Sequence, residues 1–239
     1  MRVRADTVLV LLALAGALSW SGLAHADGSA TGHRRAASAR PAAVQSRRSP
    51  PRTYGGLTAA ERQALAHGQT VSRPTAFRHG GGRYVGGVSY QVVRASPPEV
   101  LSALLTVELL PHLLPRTKRA RQVAGAGSGA RVELVQGNSW IDATYTVVLA
   151  REGDSSVRFR LDGSRPHDIE DVWGYFRAQP FGESHTLVTV AVALDVGDGL
   201  VRMLFEDRIQ RLILSAPAQI RDFLEPRVMA AAVDQGGAR

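Results

Sequence analysis

The densest group of side chains that could do chemistry lies in the stretch SRPHDIEDVWG at positions 164–174. It places the imidazole of His167 beside the carboxylates of Asp168 and Glu170. A histidine titrates near neutral pH, so an imidazole with a carboxylate close by can act as a general base. The same side chains could instead anchor a ligand headgroup, or form a hairpin loop whose charges pair with one another. We favour the loop for any single residue here, and keep the three as the catalytic candidates if the chain is an enzyme.

No metal or cofactor site is predicted. The histidines at 112, 167 and 185 are scattered, and no pair has the spacing of a zinc-binding helix. The chain has no cysteine, which excludes disulfides, thiolate catalysis and cysteine-based zinc sites. The glycine-rich run at 125–129 precedes a strand and does not open a helix, so it indicates a turn and not a phosphate loop. The chain also lacks the Gly-x-Ser-x-Gly pattern of serine hydrolases.

Residues 1–26 have the pattern of a secretory signal peptide. A basic start is followed by an apolar run at 8–18 and by a small-x-small site that ends at Ala26. An uncleaved membrane anchor is the alternative, but the apolar run is shorter than the ~20 residues that span a bilayer. We therefore expect export, cleavage near Ala26, and a periplasmic or secreted protein that is soluble afterwards.

The net charge of +8 is carried by the N-terminal part of the chain. Residues 27–82 contain nine arginines against two acidic residues, whereas residues 83–239 contain eighteen basic and eighteen acidic side chains. A nucleic-acid-binding face needs clustered positive charge, so nucleic acid is not an expected partner. Residues 27–54 have almost no large apolar side chains and are predicted to be a disordered basic linker. This linker is either simply solvated or makes weak contact with an anionic membrane surface.

The rest of the chain is predicted to be one α+β domain with short flanking segments. Residues 55–82 are expected to hold a short capped helix at 58–67 and a glycine-rich connector. Period-two alternation of apolar residues then predicts a half-buried first strand from Val85, followed by two short helices at 97–105 and 107–114. Further strands are predicted at 131–136, 140–150, 157–161, 169–179 and 186–195. The domain spans residues 83–227, and residues 228–239 are expected to be a disordered tail.

A single long amphipathic helix is predicted at 198–225. Asp198 is its expected N-cap, Pro226 its expected end, and Pro217 should bend it. An antiparallel sheet with one apolar face needs cover on one side only. The helix is long enough to be that cover. Its apolar side chains recur at steps of three and four, and comprise Val201, Phe205, Ile209, Leu212, Ala216, Ile220 and Phe223.

Residues 84–225 resemble the START-like superfamily, also called SRPBCC, and within it the polyketide-cyclase and coenzyme-Q-binding branch. The resemblance is carried by the capping segment 96–100, by the segment 107–115, VELLPHLLP, and by the terminal helix. In segment 107–115, Leu110 stands where the family usually has an aromatic residue. The resemblance implies a helix-grip fold, with a curved antiparallel sheet of about six or seven strands around the long C-terminal helix. It also implies a hydrophobic cavity that holds a lipid, quinone or polyketide-like molecule.

Pockets between a curved sheet and a helix are mostly apolar with a few polar anchors. The alternative is that the same side chains simply pack together as a core. Our first hypothesis is an exported carrier or sensor without catalytic activity; the rivals are a cyclase or aromatase-like enzyme and an interaction module without a ligand. The side chains predicted to line the cavity are Val132, Leu134, Ile141, Tyr145, Val147, Phe159, Leu161, Trp173, Phe205, Ile209, Leu212 and Ala216.

Overall fold

A computed structural model describes residues 56–125, 129–139 and 141–236 of the chain. The signal peptide, the linker at 27–54 and Trp140 lie outside these residues. Five helices are described, α1 (Ala59–Ala66), α2 (Pro97–Leu105), α3 (Leu110–Leu113), α4 (Leu200–Leu214) and α5 (Ala216–Gly236). Eight strands are described, β1 (Val71–His79), β2 (Gly82–Val93), β3 (Thr117–Ala124), β4 (Ala130–Gly137), β5 (Asp142–Glu152), β6 (Ser156–Leu161), β7 (Asp171–Pro180) and β8 (Thr186–Asp195).

The strands form one curved antiparallel sheet in the order β1-β2-β8-β7-β6-β5-β4-β3. The α+β class and the helix-grip architecture expected from the sequence are therefore confirmed. The sheet has eight strands, whereas about six or seven were expected, because the two strands at its edges were not predicted. One is β3, whose run of basic residues lacks apolar alternation.

The other unpredicted strand is β1, and it corrects the expected connector in residues 55–82. β1 pairs with β2 along its whole length, and Pro74 is accommodated because an edge strand can lose one donor. Gly80 and Gly81 form the turn between these strands, both with positive φ, which glycine adopts without steric cost. The sheet domain therefore begins before residue 83.

Strand β2 is buried on both faces and not half-buried as predicted. Its alternating apolar residues Val88, Tyr90 and Val92 pack against Leu65 of α1 on the outer face of the sheet. On the inner face, which carries the C-terminal helices, β2 presents Ser89 with no exposed surface. The α1 helix is the one predicted from its Thr58 capping box, which is confirmed. This small helix therefore gives the sheet a second covered face near β2.

The short helices after β2 follow their predicted capping signals. The side chain of Ser96 accepts a hydrogen bond from the backbone N–H of Glu99, and Glu99 returns a bond to the backbone of Ser96, which confirms the second capping box. A 3-10 turn at Val107–Leu109 then leads into α3. Apolar residues from α2, this turn and α3 join the main core on the inner face.

The C-terminal helix is divided into α4 and α5 at Ser215. Pro217 lacks the N–H that would continue the α4 hydrogen-bond pattern, so the interruption falls close to the predicted bend. Two expected ends are wrong. The residue before α4 is Gly199 instead of Asp198, and it makes no side-chain cap. The helix also continues through Pro226 to residue 236, so the expected tail at 228–239 is helical up to there.

The described part of the chain contains no helix that is both long and apolar enough to cross a membrane.

Candidate functional site

Four apolar side chains on the inner face of the sheet remain partly exposed beneath the helices. They are Phe159 and Leu161 of β6 and Val192 and Leu194 of β8, and all four lean against the buried core. Register places Phe159 opposite Gly174 of β7, and Gly174 opposite Val192, so they form one row across three strands. Solvent therefore reaches a continuous apolar strip on the face that a ligand in a helix-grip fold would contact.

Gly174 is what allows the ring of Phe159 to lie flat in this strip. A Cβ added at Gly174 would lie 2.6 Å from Cζ of Phe159 and 2.0 Å from the carbonyl oxygen of Ala191. The Phe159 ring also contacts the ring of Phe176, with centroids 5.2 Å apart. A larger residue at 174 would push the Phe159 ring out of its position over the sheet.

The structure brings most of the predicted wall residues of the sheet together. Val132, Leu134, Tyr145 and Val147 are buried in one core cluster, and Phe159 and Leu161 pack against it. Val192 and Leu194 join the same surface but were not predicted. Seven of the ten residues of β8 are apolar and they lie on both of its sides, so alternation could not indicate which side faces inward.

Three predicted wall residues lie elsewhere. Ile141 precedes β5 and is 47% exposed, and Phe205 of α4 is 40% exposed. Trp173 is 42% exposed and lies on the outer face, because its neighbours Val172 and Gly174 point inward. The helix contribution shifts accordingly toward α5. Ile209 and Leu212 of α4 are only half-buried, whereas Ala216 is buried.

The buried side chains of the described C-terminal segment therefore begin at Leu214 and Ala216 and continue along α5. Ile220 has no exposed surface, and Phe223 and Leu224 are buried against the main core. The helix α4 is held differently, by polar contacts with the edge of the sheet. The guanidinium of Arg83 on β2 donates two hydrogen bonds to the carboxylate of Glu206, with Nε–Oε2 at 3.0 Å and Nη2–Oε1 at 2.5 Å.

A second polar contact of α4 comes from Gln210. Its Nε2 donates to the carbonyl oxygens of Thr75 on β1 at 3.0 Å and of Gly86 on β2 at 2.9 Å. Water can replace these hydrogen bonds more easily than it can separate buried apolar side chains, because the bonds lie close to solvent. Among the side chains that the structure describes, α5 is the more firmly packed helix, whereas residues 205–213 of α4 have no fully buried side chain and make these polar bonds.

Three polar side chains on strands β3, β4 and β5 form a hydrogen-bond network on the inner face. The hydroxyl of Tyr145 donates to Oε1 of Gln136, and Nε2 of Gln136 donates to Oγ1 of Thr117 at 2.7 Å. Burial raises the pKa of the Tyr145 hydroxyl well above its ordinary value, so it stays protonated. These three side chains are bonded to one another, whereas the buried Oγ of Ser89 on the same face has no hydrogen-bond partner among the described residues.

The catalytic candidates lie in the loop between β6 and β7 and are all exposed. Nδ1 of His167 lies 2.6 Å from the carbonyl oxygen of Ile169 in the same loop. The carboxylate of Asp168 accepts a hydrogen bond from the backbone N–H of Thr144 at 2.8 Å, and Glu170 is held through its backbone N–H by the carbonyl of Asp195. Each of these hydrogen bonds has a backbone group as its partner, whereas the loop favoured from the sequence had its charges paired with one another.

A pocket of about 290 Å³ opens at the ends of β3 and β4, away from the apolar strip. Arg116 at its rim has a φ of 56°, which is uncommon for a residue with a Cβ. The pocket is lined by Arg116, Thr117, Lys118, Gly137, Asn138 and Ser139.

The described residues contain no cluster of three or more His, Cys, Asp or Glu side chains placed to hold a metal.

Two solved structures share this architecture. The Zhui aromatase/cyclase from a Streptomyces species superposes with a TM-score of 0.53 at 14% identity, over 67% of this chain and 98% of its own. A protein from Thermus thermophilus superposes with a TM-score of 0.51 at 19% identity, over 60% of this chain and 97% of its own. At these identities the likeness shows the fold alone. No family model matches the chain, and no curated protein sequence matches it.

The chain therefore has a helix-grip fold, and the resemblance noted in the sequence is confirmed at the level of fold alone.

Proposed function

We propose that the chain is an exported binding protein that holds a small hydrophobic or lipid-like molecule between the inner face of the sheet and its C-terminal helices. The observation that carries this proposal is the partly exposed strip of Phe159, Leu161, Val192 and Leu194. Exposed apolar surface of this kind is unfavourable in water, and covering it with an apolar ligand is favourable at ~25 cal/mol per Å². The polar chain through Tyr145 and Gln136 would orient the ligand.

The solved neighbours support the fold that the proposal requires and do not identify a ligand. One of them is an aromatase/cyclase, but its chemistry does not carry over at 14% identity. The cyclase alternative requires His167, Asp168 and Glu170 to face the bound molecule. Their exposed positions and their local backbone bonds do not favour that alternative.

The proposal is tested by what the protein carries from the cell. The full chain is purified without detergent, extracted with organic solvent, and the extract is analysed by mass spectrometry. We expect an apolar molecule in amounts comparable with the protein. The Val192→Phe variant is compared with the unmodified chain. Its larger side chain would occupy the strip, so the amount of extracted ligand should fall. An empty extract from the unmodified chain would contradict the proposal.

Export is the second part of the proposal, and it is supported by the signal-peptide pattern in residues 1–26. Expression of the full chain in a bacterium should release a protein whose first residue is Asp27. Replacing both Ala24 and Ala26 with Arg should leave the leader attached, because cleavage needs small residues at these positions. Full-length chain in the cytoplasm for both versions would contradict export while leaving ligand binding open.

A further inference from the structure

The outer face of the sheet beyond α1 carries a group of arginines, which we call the arginine face. Register aligns Arg131 of β4, Val148 of β5, Arg160 of β6 and Trp173 of β7 in a single row across this face. The row lies on the side opposite the core, and its two arginines are exposed. The arginine face consists of Arg119, Arg121, Arg131, Arg158, Arg160, Arg165 and Trp173.

Two carboxylates on this face are each shared by two guanidinium groups. Oε1 of Glu133 lies 3.1 Å from Arg121 and 3.9 Å from Arg119. In the same way, Oδ2 of Asp162 lies 2.9 Å from Arg131 and 3.7 Å from Arg165. Each of these two groups therefore has one negative and two positive charges, and its net charge is positive.

The remaining arginines add to this excess. Arg158 is paired with Glu152 at 2.5 Å. The guanidinium of Arg160, whose backbone is part of strand β6, has no hydrogen-bond or ion-pair partner among the residues that the structure describes. Six guanidinium groups thus face three carboxylates, and the excess is one when Asp171 and its strand neighbour Asp195, beside Trp173, are counted. The even balance of charge over residues 83–239 therefore conceals one basic side of the domain.

Trp173 stands beside Arg160 as an exposed and well-supported aromatic ring. Its centroid lies 6.3 Å from the ring of Phe77 and 6.3 Å from that of Tyr84. Tyr84 is itself fixed, since its hydroxyl donates to the carboxylate of Asp171 at 2.7 Å. Trp173 lies on the outer face beside these rings, and 42% of it is exposed. An exposed tryptophan next to arginines is the composition of surfaces that meet the lipid–water interface.

We propose that the arginine face docks the protein onto the surface of an anionic lipid bilayer, with Trp173 at the headgroup level. The shape of the sheet favours a bilayer over a rod-like polyanion. This face is the outer side of a curved sheet, so it can rest on a plane but cannot enclose a strand of nucleic acid or polysaccharide. The inference does not rest on the proposed ligand, because docking uses the opposite side of the sheet.

Flotation of the full chain with vesicles tests the proposal. Vesicles of phosphatidylcholine alone are compared with vesicles that contain phosphatidylglycerol at three parts in ten, in about 0.1 M salt where surface charges are still felt. We expect binding to the anionic vesicles only, and release when salt is raised. Each basic residue at an anionic surface contributes about a fivefold change in partitioning, so Arg160→Gln should weaken binding about fivefold. Trp173→Ala should also weaken binding, and Arg160→Lys should preserve it.

The matched control is Arg94→Gln, which removes the same charge from an exposed position at the end of β2 near Glu225 of α5. Circular dichroism verifies that every variant is folded. The proposal is overturned if Arg160→Gln binds as well as Arg94→Gln, or if neutral vesicles bind as tightly as anionic ones. Tighter, equally variant-sensitive binding to a soluble sulfated polysaccharide would also overturn it, and would assign the face to a polyanion.

Discussion

Arg83 on β2 and Glu206 on α4 form an ion pair with two hydrogen bonds that joins the helix to the sheet. The side chains are 36% and 22% exposed, so the pair lies at the boundary between the domain and water. Exposed pairs contribute only ~0.2–1 kcal/mol to stability. Between residues 205 and 213 no side chain of α4 is fully buried, so this pair is one of the defined contacts between that stretch and the sheet.

We therefore predict that Glu206→Gln loosens α4 without unfolding the domain. The substitution removes the charge and leaves an amide that can still hydrogen-bond, so the melting temperature should fall only slightly. Backbone amides of residues 205–214 should exchange with deuterium several-fold faster, and those of α5 should not change. The matched control is Asp222→Gln on α5, whose partner Arg221 is its chain neighbour. Equal deuterium exchange in α4 for both variants would contradict the claim that the Arg83–Glu206 pair holds α4 against the sheet.

Pro217 should set how easily α4 moves relative to α5. Pro217→Ala supplies an N–H that can bond the carbonyl of Ile213 and join the two helices into one. We expect a straighter helix and slower uptake of a fluorescent fatty acid in stopped-flow mixing. The control is Pro226→Ala, because α5 already continues through that proline. Unchanged uptake kinetics in Pro217→Ala would show that α4 does not have to move relative to α5 when the ligand enters.

The contrast between α4 and α5 also predicts the stability of two truncations. Ile220→Ala removes a fully buried side chain and should cost ~2–5 kcal/mol of unfolding free energy. Phe205→Ala removes a larger side chain that is 40% exposed, and should cost less than about 1 kcal/mol. Urea denaturation measures both. A larger loss for Phe205→Ala than for Ile220→Ala would show that α4 contributes more to stability than α5.

Docking of α1 should depend on acid pH. The hydrogen bonds from Arg73 lower the pKa of Glu61 from 4.5 to about 2. A carboxyl whose pKa is depressed by folding stabilises the fold above its unfolded pKa and loses that contribution as pH falls through its folded pKa. The contribution should therefore fade between about pH 4.5 and pH 2. Protection of the α1 amides should decline in that window, and Glu61→Gln should remove the dependence. A decline of equal size in Glu61→Gln would refute this assignment.

The sequence predicted most of the fold because capping and alternation are local signals. The Thr58 and Ser96 boxes and strand β8 appear where the pattern indicated. The edge strands β1 and β3 were missed, since an edge strand needs no buried face and can contain Pro74 or a run of basic residues. Pairing partners, and not local pattern, made these segments strands.

The candidate site was harder to predict because a strand pattern does not say which side faces the ligand. In β2 the apolar side packs against α1, and in β7 Trp173 faces outward although it is large and aromatic. Register across several strands decides these orientations, and register is a property of the whole sheet. The partly exposed residues of β8 could not be singled out for the same reason, since both of its sides are apolar.

The most direct test of a ligand on the inner face is a titration of the full chain with a fluorescent fatty acid, compared between two size-matched variants. Val192→Phe enlarges a partly exposed side chain on the inner strip, and Val148→Phe makes the same change on the outer face. We predict saturable binding that Val192→Phe weakens at least tenfold and Val148→Phe leaves unchanged. Equal affinity in both variants, or no saturable binding by the unmodified chain, would contradict the proposed function.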